Sequence, residues 1–320
     1  MQNILIRCDA SKEIGFGHII RCLELAKQLQ KHNCNILFAI KPYELSIEKI
    51  EEKGFAYTCA TLENFDYENW IKELLEANHI DFFIGDIRDG FPIELITYMR
   101  KKDILTVAID EPSPYAKECD ICFYPPHAII DKTAYKGKVY QGLEYVILRE
   151  EFYQPFEKIK NEVPNVLIML GGTDPYKLTF PILQHLDTLQ ENFFIHILIQ
   201  SSHDDCNQLF EFIKTSNHPC KIHHNITNIS LFLTTIDYAI VAFGTIAYEL
   251  IAKQIPSAYI CYDANQEHNN KYFIHNHFAI QFTKENYKNL NTITIGKFEP
   301  QMKQNKILDT IVQFKKGKLT

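Results

Sequence analysis

Short apolar runs alternate with amphipathic segments along most of the chain, and this alternation predicts parallel β-sheets in an α/β architecture. In the first half, the pattern predicts strands at 3–8, 35–40, 81–86, 104–109 and 119–123, and helices near 18–31, 46–53, 67–78 and 92–101. In the second half, it predicts strands at 165–170, 193–199, 220–223, 237–242 and 257–261, and helices over 204–215, 228–235, 245–253, 266–274 and 300–315.

The two halves begin in the same way, each with a strand, a glycine loop and a helix. Between them, the segment 149–163 is charged and bounded by prolines, which is typical of a connection between domains. We therefore predict an N-terminal domain over 1–155 and a C-terminal domain over 156–320. The final helix is a candidate for packing back against the first domain.

The opening segment carries the first candidate chemistry. An apolar strand ends in Arg7 and Asp9, a loop containing Gly15 and Gly17 follows, and a helix opens with His18 in its first turn. A helix N-terminus after a glycine turn can hold an anion on its backbone N–H groups. The positive helix end disfavours imidazolium, which suits His18 as a general base at neutral pH. From these residues alone, a buried turn with a hydrogen-bonded histidine is the commoner outcome.

Carboxylates follow several strands of the first half. Asp9, Asp86 and Asp110 each fall at the end of a predicted strand. Ligands of open α/β sheets bind at the carboxyl ends of the strands, so three such residues indicate a shared crevice. A single aspartate there would mean little, because aspartate also caps helices.

Two segments of the second half are the first candidates for nucleotide binding. The loop Gly171–Gly172–Thr173 follows a strand and could bind phosphate, although a plain turn is as consistent with it. Asn265 and Gln266 begin a later helix, and their amides could serve a nucleotide or a sugar as readily as a polar helix start.

The third candidate in this half is stronger. The strand 237–242 leads to Gly244, and the next helix begins with Thr245. Glu249 lies one turn further on the same helix face. Phosphate could bind the N–H groups of Gly244 and Thr245, while the Glu249 carboxylate accepts both ribose hydroxyls. An ordinary helix start with a surface glutamate is the alternative.

Composition limits the remaining classes. The 320 residues carry a net charge of -7, which argues against a broad nucleic-acid surface. No apolar run approaches the ~18 residues of a membrane span. The nine scattered cysteines are typical of reduced thiols, so we expect a cytoplasmic protein. Cys119 and Cys122 lack the second pair of a zinc ribbon, and we predict no metal.

Several segments together match one family signature. They are Arg7, Asp9, Ser11, Ile14, Gly15, Gly17, His18, Arg21, Cys22 and Leu23; Tyr145, Leu148, Arg149, Glu151 and Phe152; Gly171 to Asp174; and Gly244, Thr245 and Glu249. In this respect the chain resembles the PseG/SpsG family of UDP-sugar hydrolases in pseudaminic-acid biosynthesis, which is related to MurG-type glycosyltransferases. The resemblance covers about residues 1–270, and the opening signature is its most specific part.

The resemblance implies a GT-B type α/β fold, with two Rossmann-like domains facing a central cleft and UDP held mainly by the C-terminal domain. It implies hydrolysis of UDP-2,4-diacetamido-2,4,6-trideoxy-β-L-altropyranose, without metal or cofactor, for surface glycans. His18 corresponds to the base that activates water, Asp9 would orient His18 or water, and Arg21 would offset phosphate charge or brace the loop. Arg7, Asp86 and Arg88 are added as substrate-binding candidates. We expect a monomer whose partner is the UDP-sugar.

Some positions differ from the family pattern. Where the family usually has His and Tyr after the strand 81–86, this chain has Ile87 and Arg88. Its paired aspartates appear as Asp110 and Glu111, and the run 124–127 lacks an expected Asn. A more acidic or differently substituted sugar is one hypothesis. A GT-B glycosyltransferase and a non-catalytic nucleotide-sugar binder are the alternative functions.

Overall fold

The computed structural model describes residues 2–11, 17–110, 112–171, 174–199, 206–224, 226–292 and 305–318. The chain forms two compact units, one of Met1–Arg149 with Gln304–Thr320 and the other of Glu150–Lys303. The division falls between residues 149 and 150, ahead of the boundary expected after 155. Ser230 Oγ and Lys253 Nζ both donate to the Glu151 carbonyl, at 3.0 and 3.3 Å, and so tie this segment to the second unit.

The first unit is a parallel sheet with helical connections. Its strands are β1 (Gln2–Cys8), β2 (Cys34–Ile40), β3 (Ala56–Cys59), β4 (Phe82–Asp86), β5 (Leu105–Ile109), β6 (Ile121–Tyr124) and β7 (Lys138–Gln141). Its helices up to this point are α1 (Gly17–Gln30), α2 (Glu44–Glu52), α3 (Tyr67–Ala77), α4 (Ile93–Lys101) and α5 (Pro114–Glu118). The strand order is β3-β2-β1-β4-β5-β6-β7.

The second unit repeats this plan with six strands. They are β8 (Asn165–Met169), β9 (Phe194–Leu198), β10 (Cys220–His223), β11 (Tyr238–Ala242), β12 (Ser257–Cys261) and β13 (Ala279–Thr283), in the order β10-β9-β8-β11-β12-β13. The helices are α6 (Thr179–Leu186), α7 (Cys206–Ile213), α8 (Ile229–Leu233), α9 (Thr245–Ala252) and α10 (Ala264–His275). The predicted α/β class with parallel sheets is confirmed.

The final helix, α11 (Ile307–Lys318), belongs to the first unit. Ile307 and Ile311 are buried in the same core cluster as Ile147 and the β1 side chains. Lys306 N also donates to the Glu144 carbonyl at 2.8 Å. The buried isoleucines of α11 thus pack on the core of the first unit.

Most predicted elements are found within a few residues of their expected bounds, and the elements that sequence reasoning missed are short. Strands β3 and β7 form the two edges of the first sheet, and β13 is an edge of the second. Their side chains are mainly half-buried or exposed, so no continuous apolar run marks them. The interior strands β4, β5 and β11 are buried at every position, which explains why their apolar runs were recognised.

The strand orders create a corresponding crevice in each unit. β1 lies between β2 and β4, and β8 lies between β9 and β11, so the chain reverses its direction of travel across the sheet at these strands. The carboxyl ends of such neighbouring strands are the usual ligand positions of open α/β sheets. In the first unit, Cys8 and Asp86 are register partners at this point. None of the described helices has the length and apolar character of a membrane span.

Candidate functional site

The centre of the candidate site is a buried cluster around Asp86, the last residue of β4. His18 Nδ1 lies 2.6 Å from Asp86 Oδ1. Arg21, one turn further along α1, donates to both oxygens of the same carboxylate and also to Asp110 Oδ2. The ends of β4 and β5 and the first turns of α1 are thus joined by one charge network. His18, Arg21, Asp86 and Asp110 are all residues that the sequence singled out.

The charge state of Asp86 follows from its surroundings. Full burial opposes ionisation, but the charge of Arg21 and the hydrogen bonds from His18 and Arg21 outweigh it and lower the Asp86 pKa to about 2. Asp86 is therefore a carboxylate at neutral pH. The same pairing raises the pKa of the Arg21 guanidinium against the effect of burial.

The ionised state of Asp86 determines how His18 is used. A carboxylate can only accept, so Nδ1 must be the donor of the 2.6 Å hydrogen bond. In neutral imidazole this leaves the lone pair on Nε2. Arg21 Nη2 also lies 2.8 Å from His18 Nδ1, but two donors cannot share a hydrogen bond, so this contact is not one while Nδ1 carries the proton. A fixed tautomer with an accepting Nε2 is the arrangement that a general base requires.

Arg7 lies in a second network of charged groups beside the first. The guanidinium is fully buried and donates to Asp9 at 2.6 Å, Asp89 at 2.8 Å and the Tyr67 hydroxyl at 2.7 Å. It also lies over the rings of Tyr67 and Trp70. Arg7 therefore braces the loops at the end of the sheet, and its assignment to substrate binding stays a prediction.

Asp9 is expected to orient His18 or water, and its contacts with described residues are with other groups. Its two oxygens accept from Arg7 Nη2 and from the Lys41 backbone N–H, at 2.6 and 2.7 Å. The carboxylate on His18 is instead that of Asp86. Cys8, next to Asp9, is the register partner of Asp86, so the neighbouring strand supplies the carboxylate that the sequence assigned to β1.

Gly85, just before Asp86, occupies a tight position in the sheet. A Cβ atom there would lie 2.9 Å from the Tyr115 hydroxyl and 3.1 Å from Ile87 Cδ1. Such contacts are closer than side chains tolerate, so glycine allows α5 to approach the end of β4. Beyond Asp86, Ile87 is buried and Arg88 is exposed.

Sequence reasoning missed the residues that complete the Arg7 network. Asp89 accepts from Arg7 and Tyr67 and pairs with Lys41 Nζ at 2.7 Å. Lys41 directly follows β2, and Asp89 lies three residues after β4. Polar residues just past strand ends were a usable signal, but an arginine inside an apolar strand gave no indication of its distant partners.

The nucleotide-binding candidates of the second unit are at the carboxyl ends of β8, β11 and β12. Gly171 has a φ of 85°, in the left-handed region that favours glycine. Gly244 caps α9, and Thr245 is its exposed first residue. Glu249 is half-buried on the same helix. The first N–H groups of a helix have no carbonyl partner one turn earlier, so those of α9 can donate hydrogen bonds to an anionic ligand.

Gln266 has a local structural role. Its side-chain carbonyl accepts from Tyr262 N at 2.8 Å, and its backbone N–H donates to the Asp263 carboxylate that caps α10. Its amide nitrogen is thus the part that could contact a ligand. The backbone of Asn265 is in α10, but its side chain lies outside the described part of the structure. The same holds for four whole residues that the sequence singled out: Gly15, Glu111, Gly172 and Thr173. Gly17 is the first residue of α1.

No group of three or more His, Cys, Asp or Glu side chains in the described ranges could hold a metal ion. Cys119 and Cys122 are buried free thiols, and burial raises the pKa of both. Their Sγ atoms lie against the carbonyls of Tyr115 and Ala116. This agrees with a structural role for the CxxC segment.

Comparison with solved structures defines the fold class. The chain is similar to MurG of Acinetobacter baumannii, with a TM-score of 0.65 at 13% identity, over 98% of this chain and 91% of that one. It is also similar to a Rickettsia africae glycosyltransferase (TM-score 0.61, 13% identity, 91% and 86% coverage). The third similar structure is spinosyn rhamnosyltransferase SpnG, with a TM-score of 0.61 at 13% identity, over 98% of this chain and 92% of that one. The chain thus has the α/β fold of GT-B glycosyltransferases.

Sequence relatives define the family, although no protein-family model matches the chain. The UDP-2,4-diacetamido-2,4,6-trideoxy-beta-L-altropyranose hydrolase of Campylobacter jejuni is 30% identical over 272 residues, which are 82% of this chain and 93% of that protein. SpsG of Bacillus subtilis, a spore coat polysaccharide biosynthesis protein, is 24% identical over 270 residues (78% and 75%). The chain belongs to the PseG/SpsG family.

An uncharacterized protein of Methanocaldococcus jannaschii is also 30% identical over 272 residues, or 79% of this chain. The match covers 54% of that protein, so this chain spans about half the length of that relative. Family membership supports an enzyme that processes nucleotide sugars.

Proposed function

We propose that the protein hydrolyses a UDP-sugar by attack of water at the anomeric carbon, with UDP-2,4-diacetamido-2,4,6-trideoxy-β-L-altropyranose as the first candidate substrate. The observation that carries this proposal is the buried hydrogen bond of 2.6 Å between His18 and Asp86 at the end of β4. It gives a base with a fixed tautomer in a member of a family that includes a UDP-sugar hydrolase.

The proposed step transfers one proton and exchanges one bond. His18 Nε2 takes a proton from water while the water oxygen bonds to the anomeric carbon. The bond from that carbon to the phosphate oxygen breaks, and UDP departs with the electron pair. Asp86, ionised and paired with Arg21, stabilises the imidazolium that forms. No metal or cofactor takes part in this proposal.

The departing pyrophosphate needs compensation for its charge. We assign this to the N–H groups at Gly244 and Thr245, where the positive end of α9 can hold phosphate. Glu249, one turn along the same helix, would accept the ribose hydroxyls. Gly171 and the loop after it form the second phosphate-binding candidate. The free sugar would enter nonulosonate synthesis for surface glycans.

A glycosyltransferase is the second candidate, favoured by the similarity to MurG. The same base could take a proton from an alcohol as readily as from water. The two functions differ in the acceptor, so the experiment must include reactions with and without one.

The test is UDP release from a panel of UDP-sugars, followed by NMR with and without added acceptors. We expect release without acceptor, reduced roughly 10²- to 10⁴-fold in His18→Asn. The matched control is His32→Asn, which changes an exposed histidine beyond the other end of α1. Release that requires an acceptor would establish transfer instead. UDP binding without turnover of any sugar would refute both enzymatic proposals.

A further inference from the structure

The buried carboxylate of Asp86 accepts hydrogen bonds from four donors of the described residues, as many as a carboxylate has lone-pair sites. Oδ1 accepts from His18 Nδ1 and from Arg21 Nη2, each at 2.6 Å. Oδ2 accepts from Arg21 Nε and, at 3.7 Å, from the thiol of Cys22. The proposed reaction gives roles to His18 and Arg21 but leaves the Cys22 thiol without one.

One helix supplies all of these donors. His18, Arg21 and Cys22 lie at positions i, i+3 and i+4 of α1, and residues at this spacing share a helix face. Cys22 is fully buried in the core cluster that also contains Cys8, the last residue of β1. Its thiol is therefore held against the end of β4 by the packing of α1 on the sheet.

The Cys22 thiol keeps its proton at neutral pH and can act as a donor. A hydrogen bond with the Cys8 thiol, burial and the negative charge of Asp86 raise the pKa of Cys22 well above its usual range, and they outweigh the opposing charge of Arg21. A neutral thiol is a weak donor, but its acceptor here is ionised, which strengthens the hydrogen bond.

The site also contains the contact for a competing tautomer of His18. Arg21 Nη2 lies 2.8 Å from His18 Nδ1. If the imidazole proton moved to Nε2, Nδ1 could accept from Arg21, and Nε2 would lose the lone pair that a base requires. The contact of Nδ1 with Asp86 Oδ1 opposes this change. Rotation of the carboxylate about its Cβ–Cγ bond would lengthen that contact, and a donor on Oδ2 resists the rotation.

We propose that Cys22 is a positioning residue, whose thiol holds Asp86 Oδ2 so that Oδ1 keeps the proton of His18 on Nδ1. This inference rests on the proposed function and adds to it a residue that acts through Asp86, not by contact with the substrate. Loss of the thiol should therefore change the tautomer of His18 and the rate of the chemical step, and leave substrate affinity unchanged.

The first test reads the tautomer in the ligand-free protein by NMR of 15N-labelled histidine at about pH 8, where imidazole is neutral. The His18 signals are assigned by their loss in His18→Asn. We expect the Nδ1–H form in the unsubstituted protein. In Cys22→Ala and Cys22→Val the Nε2–H form should rise to roughly a tenth or more. Valine fills the position without a donor, so it separates the hydrogen bond from packing, and it replaces alanine if that variant does not fold.

The second test measures UDP release from the best UDP-sugar of the panel. Both donor-free variants should lower kcat roughly three- to tenfold, the effect of about one hydrogen bond, with KM unchanged. Cys22→Ser restores a donor and should recover most of the rate and the Nδ1–H form. The matched control is Cys34→Ala, which removes a buried thiol of the same core cluster at the first residue of β2 and should change neither measurement.

The inference would be overturned if Cys22→Val kept the tautomer and kcat of the unsubstituted protein, because packing alone would then suffice. A serine variant no better than alanine would overturn it as well. The proposed function fails in a different way, when the unsubstituted protein releases no UDP from any sugar. The NMR measurement does not depend on turnover, so it still tests the role of Cys22 in that case.

Discussion

Replacing Asp86 by Asn tests the centre of the candidate site, because it keeps the shape of the side chain and removes its charge. The carboxylate is fully buried between His18 and Arg21, and its pKa is lowered from 3.8 to about 2. That difference corresponds to about 2 kcal/mol of folding free energy. Removing one partner of a buried ion pair also leaves the other charge unbalanced. We therefore expect a loss of about 3 kcal/mol at pH 7.

The sign of the pH dependence is fixed by the same shift. Since the folded-state pKa is below the unfolded one, the stabilisation by Asp86 is present above pH 3.8 and is lost as pH falls towards 2. Asp86→Asn should lack this pH-dependent stabilisation. The difference in unfolding free energy between the variant and the unsubstituted protein should therefore be smaller at pH 3 than at pH 7. Urea unfolding followed by circular dichroism at the two pH values measures the difference.

The catalytic consequence has a separate cause. An Asn amide can donate to His18 Nδ1, which would move the imidazole proton to Nε2 and remove the accepting lone pair. UDP release should then fall roughly 10³- to 10⁴-fold. The control is Asp110→Asn. Asp110 contacts the same Arg21 but is partly exposed. Its backbone is left-handed, with a φ of 65°, and asparagine tolerates that conformation.

We expect Asp110→Asn to lose less than about 1 kcal/mol, as partly screened ion pairs do. The structural role of Asp86 would be refuted if Asp86→Asn lowered the free energy of unfolding by less than about 1 kcal/mol, which is the scale of a single hydrogen bond. Its catalytic role would equally be refuted by a folded variant that keeps UDP release within roughly tenfold, which is about 1.4 kcal/mol of barrier.

Three further substitutions test other parts of the structure. Arg7→Met should lower the free energy of unfolding by about 3–5 kcal/mol, because it leaves two carboxylates without their buried cation; urea unfolding measures it, and a loss below 1 kcal/mol would contradict the network. Gly85→Ala should lower the free energy of unfolding by about 1–3 kcal/mol, and adding Tyr115→Phe should restore part of that loss. If thermal unfolding showed that the effects of the two substitutions are strictly additive, the predicted contact would be refuted. Burial and His223 lower the His196 pKa from 6.5 to about 4, so the unfolded chain takes up the proton first as pH falls. Since His196 is partly exposed, stability should fall by about 1–2 kcal/mol between pH 7 and 4.5, and His196→Phe should remove that loss; equal pH profiles in urea titrations would rule it out.

The local patterns of the chain were sufficient for the architecture. Continuous apolar runs such as 82–86 and 105–109 predict strands buried on both faces, and the structure buries every residue of both. The alternation with helical segments then requires parallel pairing, because each helix returns the chain to the same edge of the sheet. Polar edge strands such as β7 were missed, since half-exposed strands of four residues carry no comparable signal.

The pairing of functional side chains was decided by the tertiary structure alone. From the sequence, His18 and Arg21 were recognisable as a histidine and a cation at a helix start, and Asp86 as a carboxylate at a strand end. Which aspartate contacts His18 depends on the strand order, and β4, not the end of β1, supplies it from 68 residues away. Arg7 finds its partner Asp89 across 82 residues in the same way. Local propensity reports the neighbours of a residue along the chain, whereas charge partners in a buried crevice are chosen by how the strands are ordered across the sheet.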